Sequence, residues 1–204
     1  MYQPYILKYD YSGLIPHISK KTMEVHYNGH YLKYLKNLKE ILEKNNYSFK
    51  YPISWIFDNI DVFPIKDRDT IIYNAGGVSN HELYFDSMSP KKDNYIPEPL
   101  NSALVRKFGS VKHFYEQLSD LALDLPGSGY TFLTVKHGEL YLLNLANQDS
   151  PYSFGMVPIL AFDIWEHAYY LDRYNDRKTY IEEFLKVIDF TNANKIYQES
   201  IKKS

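Results

Sequence analysis

The sequence predicts an α+β protein in which an N-terminal α-helical hairpin precedes a mixed α/β domain with a small antiparallel sheet. Two long segments with helical hydrophobic period lie within the first 90 residues, and two β-rich runs flank Lys136-His137-Gly138. A proline-rich stretch, residues 89–99, separates the two patterns. At 204 residues the chain can bury a substantial core. We therefore predict two domains, residues 1–90 and residues 91–204.

The first half predicts two helices. Residues 19–46 carry apolar side chains with helical period and lysines on the opposite face, and Ser19 can cap their N-terminus. Residues 67–88 predict the second helix, which contains Ala75-Gly76-Gly77. Because a glycine inside a helix costs about 1 kcal/mol relative to alanine, these glycines predict a close approach of another backbone. Residues 47–66 are broken by prolines and predict irregular structure.

The second half mixes helices and strands. Residues 102–123 predict a helix interrupted at Gly109. Residues 129–147 predict a β-hairpin, because two runs rich in Tyr, Phe, Leu, Val and Thr surround a short turn. The apolar run "MVPILAFD" predicts a buried strand that ends at Asp163, and helices follow it to the C-terminus.

Composition excludes several classes of function. The formal net charge is −2 without a long basic run, so no nucleic-acid partner is expected. The absence of cysteine excludes thiolate ligands and cysteine nucleophiles, which leaves His, Asp and Glu to hold any metal. The N-terminus lacks a signal-peptide pattern, and no transmembrane span is expected, so the default expectation is a cytoplasmic protein without a membrane partner.

The candidate chemistry lies in a few histidines and one aspartate. His26, His30 and Tyr34 share the apolar face of the first helix, where they could form either a satisfied core network or part of a metal site. His81 faces inward from the second helix. The remaining histidines favour ordinary roles: packing or capping for His17, and solvated or structural positions for His113 and His137.

The stretch "FDIWEHAYY" adds a carboxylate and an imidazole. Asp163 and His167 are four positions apart, so they could share a helix face or meet across a strand-to-helix turn. Together with one histidine from each helix of the hairpin they would supply three imidazoles and one carboxylate, a donor set that suits manganese, iron or zinc. A facial triad built on His137 and Glu139 is a weaker alternative because it would lie in a hairpin turn. Nucleotide-binding loops, H-E-x-x-H and G-x-S-x-G are absent from the sequence.

Four motifs in order resemble the iron/manganese superoxide dismutase family over nearly the whole chain. They are "LKYDYSGLIPHISKKTMEVHYNGHYLKYLKNL", "YNAGGVSNHELYFDSMSP", "LANQDSP" and "PILAFDIWEHAYYL". The resemblance implies that one manganese, or alternatively iron, is held in each subunit by His26, His81, Asp163 and His167. It also implies the same division into a helical hairpin and an α/β domain, with the metal between them.

Roles for the surrounding residues also follow from the resemblance. Tyr34 and His30 would gate the substrate channel and relay protons, Gln148 would hydrogen-bond the solvent molecule beside the metal, and Trp165 would wall the pocket.

Further roles implied by the resemblance concern a homodimer and the approach of the substrate, the superoxide anion. Glu166 would reach the partner's metal-bound histidine, the counterpart of His167, and Tyr170 would meet His30 across the interface. Arg177 would lie near the entrance, where it would favour the superoxide anion.

Several residues depart from the usual family pattern and bear on the choice of metal. Gln148, supplied by the hairpin with the small Gly77 opposite, favours manganese. Val78 replaces a histidine, and Ala161-Phe162 replaces Gly-Leu ahead of the aspartate. Tyr130 and Phe132 stand where tryptophans are common. Use of iron as well as manganese therefore stays open.

The implied reaction is dismutation of superoxide to oxygen and hydrogen peroxide by one-electron cycling of the metal. A non-catalytic metal-binding relative is the main alternative, although such a protein would need neither Gln148 nor Tyr34. A purely structural dimer is the other, although four inward ionisable groups would be costly to bury without a metal.

Overall fold

The computed structural model describes residues 1–90 and 95–202, and it confirms a helical hairpin followed by an α+β domain with a small antiparallel sheet. The helices are α1 Lys20–Val25, α2 Leu32–Lys44, α3 Ile53–Asp58, α4 Ile65–Asp86, α5 Leu100–Phe108, α6 Val111–Asp124, α7 Tyr170–Arg173, α8 Arg177–Phe184 and α9 Thr191–Ile201. The strands are β1 Gly129–Lys136, β2 Glu139–Ala146 and β3 Val157–Asp163. In the described ranges, no helix has the length and apolar character needed to cross a membrane.

The first predicted helix is confirmed, with one irregularity. Ser19 caps it by accepting a hydrogen bond from the backbone N–H of Thr22. Between α1 and α2 the chain forms a π-helical segment, His26–Tyr31, and the N–H of Leu32 donates to the carbonyl of Tyr27, five residues back. Such widened turns are frequent at functional sites, and this one contains both His26 and His30.

The second predicted helix is confirmed as α4, which packs along α2. The prediction that residues 47–66 are irregular is wrong in part, because they contain α3 and a short 3-10 helix, Ile60–Val62. Pro52 lies at the N-cap of α3, where its fixed φ and missing N–H cost nothing, and Ile56 and Phe57 are buried. Tertiary packing thus stabilises a helix that is too short to be favoured by its own sequence.

The predicted hairpin and buried strand form one antiparallel sheet in the order β2-β1-β3. The central strand β1 is buried from Gly129 to Val135, and Tyr130 is paired with Asp163 at the end of β3. Helix α4 packs against β3, so the end of that strand faces the helical hairpin. The helix interruption at Gly109 is also confirmed, because α5 ends there and α6 begins two residues later.

The end of the hairpin domain is tied to the C-terminal half. Met88 forms a β-bridge with Ile188, and the N–H of Ser89 donates to the carbonyl of Val187 at 2.8 Å. Residues 91–94 of the predicted linker lie outside the described residues. The division into residues 1–90 and 91–204 stays a prediction.

Candidate metal centre

Four side chains from four different elements converge between the helical hairpin and the sheet. They are His26 in the π-helical segment, His81 in α4, Asp163 at the end of β3 and His167 in the 3-10 turn Glu166–Ala168. One ligand atom from each lies within 4.8 Å of the other three. His26, His81 and Asp163 are fully buried, and His167 is 11% exposed.

Asp163 and His167 meet across a strand-to-turn junction rather than on one helix face. Asp163 Oδ1 accepts a hydrogen bond from the N–H of Trp165 at 2.8 Å, and the carbonyl of Asp163 accepts one from the hydroxyl of Tyr180 at 2.8 Å. These two hydrogen bonds fix the end of the strand and aim Oδ2 at the histidines.

The inward-facing atoms lie at contact distance without hydrogen-bond geometry. Asp163 Oδ2 is 3.1 Å from His26 Nε2 and 3.4 Å from His167 Nε2. Among the described residues, none of these three atoms has a hydrogen-bond partner, although all are buried. Buried polar atoms normally have hydrogen-bond partners. The convergence of three that lack one indicates that a bound group interacts with them.

His81 is already fixed in one tautomer. Its Nδ1 lies 2.6 Å from the carbonyl of Gly77, to which it donates, so that Nε2 carries the lone pair. A ligating histidine commonly donates its second N–H in this way.

The charges of the cluster suit a cation. Burial lowers the pKa of His26 and of His81, so both imidazoles stay neutral and able to ligate. Burial opposes ionisation of Asp163, but His167 and His26 outweigh it and lower the pKa of this carboxyl. Three imidazoles and one carboxylate, with His26, His81 and Asp163 fully buried, fit a divalent first-row metal.

Four further predicted residues surround the cluster. Tyr34 accepts a hydrogen bond from Gln148 Nε2 at 3.2 Å, and its ring packs beside His81 at 5.4 Å between centroids. His30 stacks on His167 at 4.0 Å, and burial followed by the neighbouring histidine charges lowers the pKa of His30 to about 4. Trp165 also stacks on His167, at 5.4 Å between centroids.

The two glycines of α4 provide space for this arrangement, and the predicted close approach of another backbone occurs at Gly76. A Cβ on Gly77 would lie 2.4 Å from the ring of Tyr34, whereas a Cβ on Gly76 would lie 1.8 Å from the carbonyl oxygen of Gln148. The predicted position of Gly77 opposite Gln148 stays a prediction. Gly76 admits the Gln148 backbone, and Gly77 admits Tyr34.

Three predicted residues lie outside the cluster. Glu166, next to His167 in the chain, is exposed, and Tyr170 is 46% exposed. Arg177 donates to the carbonyls of Leu125 and Gly127, at 2.5 and 2.8 Å. The guanidinium thus fixes a loop in this structure, and its predicted role at an entrance stays untested.

Comparison with known proteins agrees with this geometry. Residues 1–89 match the α-hairpin domain of iron/manganese superoxide dismutases, and residues 97–196 match their C-terminal domain. The chain belongs to the iron/manganese superoxide dismutase family. Proteins named superoxide dismutase (Mn) from Listeria innocua, Listeria ivanovii and Listeria monocytogenes are each 36% identical over 189 residues, covering 93% of this chain and 94% of the relative. The chain is accordingly an oxidoreductase of this family, whose metals are manganese and iron, and the names of these relatives favour manganese.

The residues that depart from the usual superoxide dismutase pattern are buried. Val78 is fully buried in α4, and Phe162 stacks on Phe184 at 3.9 Å between centroids. Tyr130 and Phe132 stack on each other, and the hydroxyl of Tyr130 reaches His81.

Sequence reasoning missed the tyrosines behind the cluster. The ring of Tyr84 stacks on His26 at 5.1 Å, and its hydroxyl pairs with that of Tyr180 at 3.1 Å. Tyr180 in turn holds the Asp163 carbonyl. The sequence contains 21 tyrosines, and no spacing marks these two among them.

The other histidines follow their expectations only in part. His113 and His137 are exposed, as expected. His17 instead pairs with Glu183, its Nδ1 lying 2.6 Å from Oε2.

Proposed function

We propose that this protein dismutates superoxide with a single redox metal, manganese or iron, held by His26, His81, Asp163 and His167. The observation that carries the proposal is the convergence of these side chains with three buried, unpartnered ligand atoms. Family membership supports the reaction class. In the reaction, one superoxide loses an electron and becomes oxygen, and a second gains an electron and two protons and becomes hydrogen peroxide. The bound metal would supply the one-electron steps.

The protein contributes charge and hydrogen bonds. Asp163 is the only anionic member of the ligand set, so it favours the more highly charged state of the centre. Gln148 and Tyr34 form one hydrogen-bonded pair beside His81, and outer hydrogen bonds of this kind tune a centre's potential. His30 and Tyr34 lie between the cluster and the surface, each half-buried, and are placed to pass the protons that peroxide requires.

We also propose that the protein works as a homodimer, with Glu166, His167, His30 and Tyr170 near the interface. Exposed apolar surface beside the site supports this, because Leu171 is 54% exposed and Tyr174 is 70% exposed. Light scattering on the parent and on Tyr170→Ala tests it. A monomeric parent at micromolar concentration would contradict the dimer. The predicted cytoplasmic location is retained as an expectation.

The decisive experiment is reconstitution of metal-free protein separately with manganese and with iron, with metal content and dismutation measured together. We expect about one metal per chain in both preparations and turnover with at least manganese. Activity with manganese alone would mean that Val78 and Ala161-Phe162 are functionally silent, whereas comparable activity with both metals would mean that they have retuned the site. Bound metal without turnover in either preparation would leave a non-catalytic relative of the family.

One substitution distinguishes residues that bind the metal from a residue that adjusts its potential. Gln148→Ala removes the amide and leaves all four proposed ligands, so we expect retained metal, an altered potential and loss of most activity, on the order of 10–100-fold. Full turnover in this variant would refute the role given to Gln148.

A further inference from the structure

A pair of buried tyrosine hydroxyls connects the two halves of the chain beside the candidate centre. Tyr84 lies in α4, one turn after the proposed ligand His81, and Tyr180 lies in α8. The two residues are 0% and 2% exposed, and their hydroxyl oxygens are 3.1 Å apart. The Tyr180 hydroxyl is also 2.8 Å from the carbonyl oxygen of Asp163. The hydroxyls therefore form a path from α4 to the end of β3, where a second proposed ligand lies.

The direction of both hydrogen bonds follows from the number of protons. A tyrosine hydroxyl has one proton to donate, and its oxygen can also accept. Tyr180 donates its proton to the Asp163 carbonyl, which can only accept. The bond between the two phenols is therefore donated by Tyr84 and accepted by the Tyr180 oxygen. Because each hydrogen bond in a chain polarises the next, the Tyr84 hydroxyl strengthens the bond that Tyr180 donates to Asp163.

The carbonyl of Asp163 is one of two points at which hydrogen bonds hold this ligand. The other point is Oδ1, which accepts from the N–H of Trp165 at 2.8 Å. The remaining oxygen, Oδ2, lies 3.1 Å from His26 Nε2 and 3.4 Å from His167 Nε2, without a hydrogen-bond partner among the described residues. The direction of Oδ2 thus depends on the two hydrogen bonds that hold the rest of the residue.

The ring of Tyr84 contacts a third proposed ligand. It stacks on the imidazole of His26 at 5.1 Å between centroids, with 30° between the ring planes. It also stacks on Phe184, at 5.9 Å and 11°. Tyr84→Phe would keep both ring contacts and remove only the hydroxyl, so this substitution distinguishes the hydrogen bond from the packing.

We propose that Tyr84 is a positioning residue for the metal centre, whose hydroxyl acts through Tyr180 on the backbone of Asp163 and so fixes the carboxylate oxygen that faces the three histidines. The path joins ligands from both halves of the chain, since Tyr84 shares α4 with His81 whereas Asp163 ends β3. This inference rests on the proposed function, because it concerns the metal that the cluster is proposed to hold.

The test uses Tyr84→Phe, Tyr180→Phe and the double variant Tyr84→Phe/Tyr180→Phe. The control is Tyr115→Phe, which removes a buried hydroxyl on α6 that has no partner among the described residues. Each protein is loaded with manganese. The measurements are the metal content, the midpoint potential of the bound metal, its visible absorption, the rate of dismutation and Tm.

We expect all variants to keep their metal. Tyr180→Phe leaves the Asp163 carbonyl without its partner, so the potential should shift and turnover should fall about 10-fold, a size typical of outer hydrogen-bond partners. Tyr84→Phe should shift the potential in the same direction by less and cost about threefold in turnover, within the range that one neutral hydrogen bond can contribute. In the Tyr180→Phe background it should shift the potential no further, because the two hydroxyls act through one path.

Tyr115→Phe should match the parent in every measurement. A purely structural role of Tyr84 would lower Tm and leave the potential and absorption of the bound metal at the parental values. That result would overturn the proposal, as would an equal shift of the potential by Tyr84→Phe in the parent and in the Tyr180→Phe background.

The measurements keep this proposal apart from the proposed function. If the manganese-loaded parent does not dismutate superoxide, the proposed function fails, whereas the potential and absorption still show whether Tyr84 acts on the bound metal. A parent that binds neither manganese nor iron would overturn both.

A second replacement covers the case in which Tyr84→Phe does not fold. Replacing Tyr84 by a ring-fluorinated tyrosine keeps the hydroxyl and makes it a stronger donor. The potential should then move in the direction opposite to that in Tyr180→Phe. An unchanged potential, or a shift in the same direction as Tyr180→Phe, would count against the proposal.

Discussion

Histidine and carboxylate side chains meet at two places in this molecule, and the two places differ in burial and in hydrogen bonding. His17 and Glu183 form a pair at 2.6 Å near the surface, with side chains 18% and 17% exposed, and Lys186 binds the same carboxylate. Around Asp163, by contrast, the side chains of His26 and Asp163 are fully buried and their facing atoms lie 3.1 Å apart without hydrogen-bond geometry.

The two groups differ in whether their polar atoms have hydrogen-bond partners within the protein. In the His17–Glu183 pair the two side chains are each other's hydrogen-bond partners, so the pair needs no further group. The cluster around Asp163 holds buried polar atoms that the described protein groups leave unpaired, an arrangement that is costly unless a cation completes it. Proximity of histidine to carboxylate is therefore a weak sign of a metal site, whereas burial combined with missing partners is a strong one.

The largest effect should come from removing the charge at the centre of the cluster. Asp163→Asn keeps the shape of the side chain but leaves the proposed metal without an anionic ligand. We expect bound manganese and turnover to fall more than about 100-fold, beyond the loss typical of outer partners. Metal analysis after dialysis and a dismutation assay measure this, with the exposed His113→Ala as the control. Parental metal content in Asp163→Asn would show that the cluster is complete without the carboxylate.

Removal of the metal should lower the stability of the folded protein, and the loss should be the same whether or not the His17–Glu183 pair is present. A ligand at about 1,000 times its Kd stabilises the folded state by about 4 kcal/mol, and in a chain of this size each kcal/mol shifts Tm by about 2–4 °C. We expect chelation to lower Tm by about 10 °C, both in the parent and in His17→Ala. Thermal unfolding with and without manganese measures it. If Tm is the same with and without manganese, the inference that a bound metal completes the cluster is wrong.

The smallest effect should come from the surface pair itself. Glu183→Gln should cost at most about 1 kcal/mol, or about 3 °C in Tm, and leave dismutation unchanged. Glu116→Gln, in the more exposed pair with Lys112, is the matched control and should cost less.

The contribution of Glu183 should also depend on pH. Hydrogen bonds from Lys186 and His17 lower the pKa of Glu183 in the folded protein. A carboxyl with a lowered folded pKa stabilises the protein above its unfolded pKa, and this contribution is lost as pH falls through the folded pKa. The Tm difference between parent and Glu183→Gln should therefore be constant near neutral pH and shrink in acid. A difference that grows on acidification would contradict this assignment.

Much of the fold could be read from hydrophobic period and turn residues. The two helices of the hairpin, the break at Gly109, the β-hairpin and the buried strand to Asp163 all follow local patterns. Helix α3 could not be read in this way, because Ile56 and Phe57 stabilise it only through contacts with the rest of the core. The π-helical turn at His26–Tyr31 likewise has no marker in the local sequence.

The sequence by itself determined the donor types, since a chain without cysteine must offer histidine and carboxylate, and the order of the four motifs indicated which ones. Only the tertiary structure decided how these groups are completed. Which glycine admits Tyr34 and which admits Gln148, which tautomer His81 adopts, and how Tyr130 reaches the centre all depend on distances between segments far apart in the chain. Local patterns specify periodicity and chemistry, but a hydrogen bond or a missing partner exists only between atoms that folding has brought together.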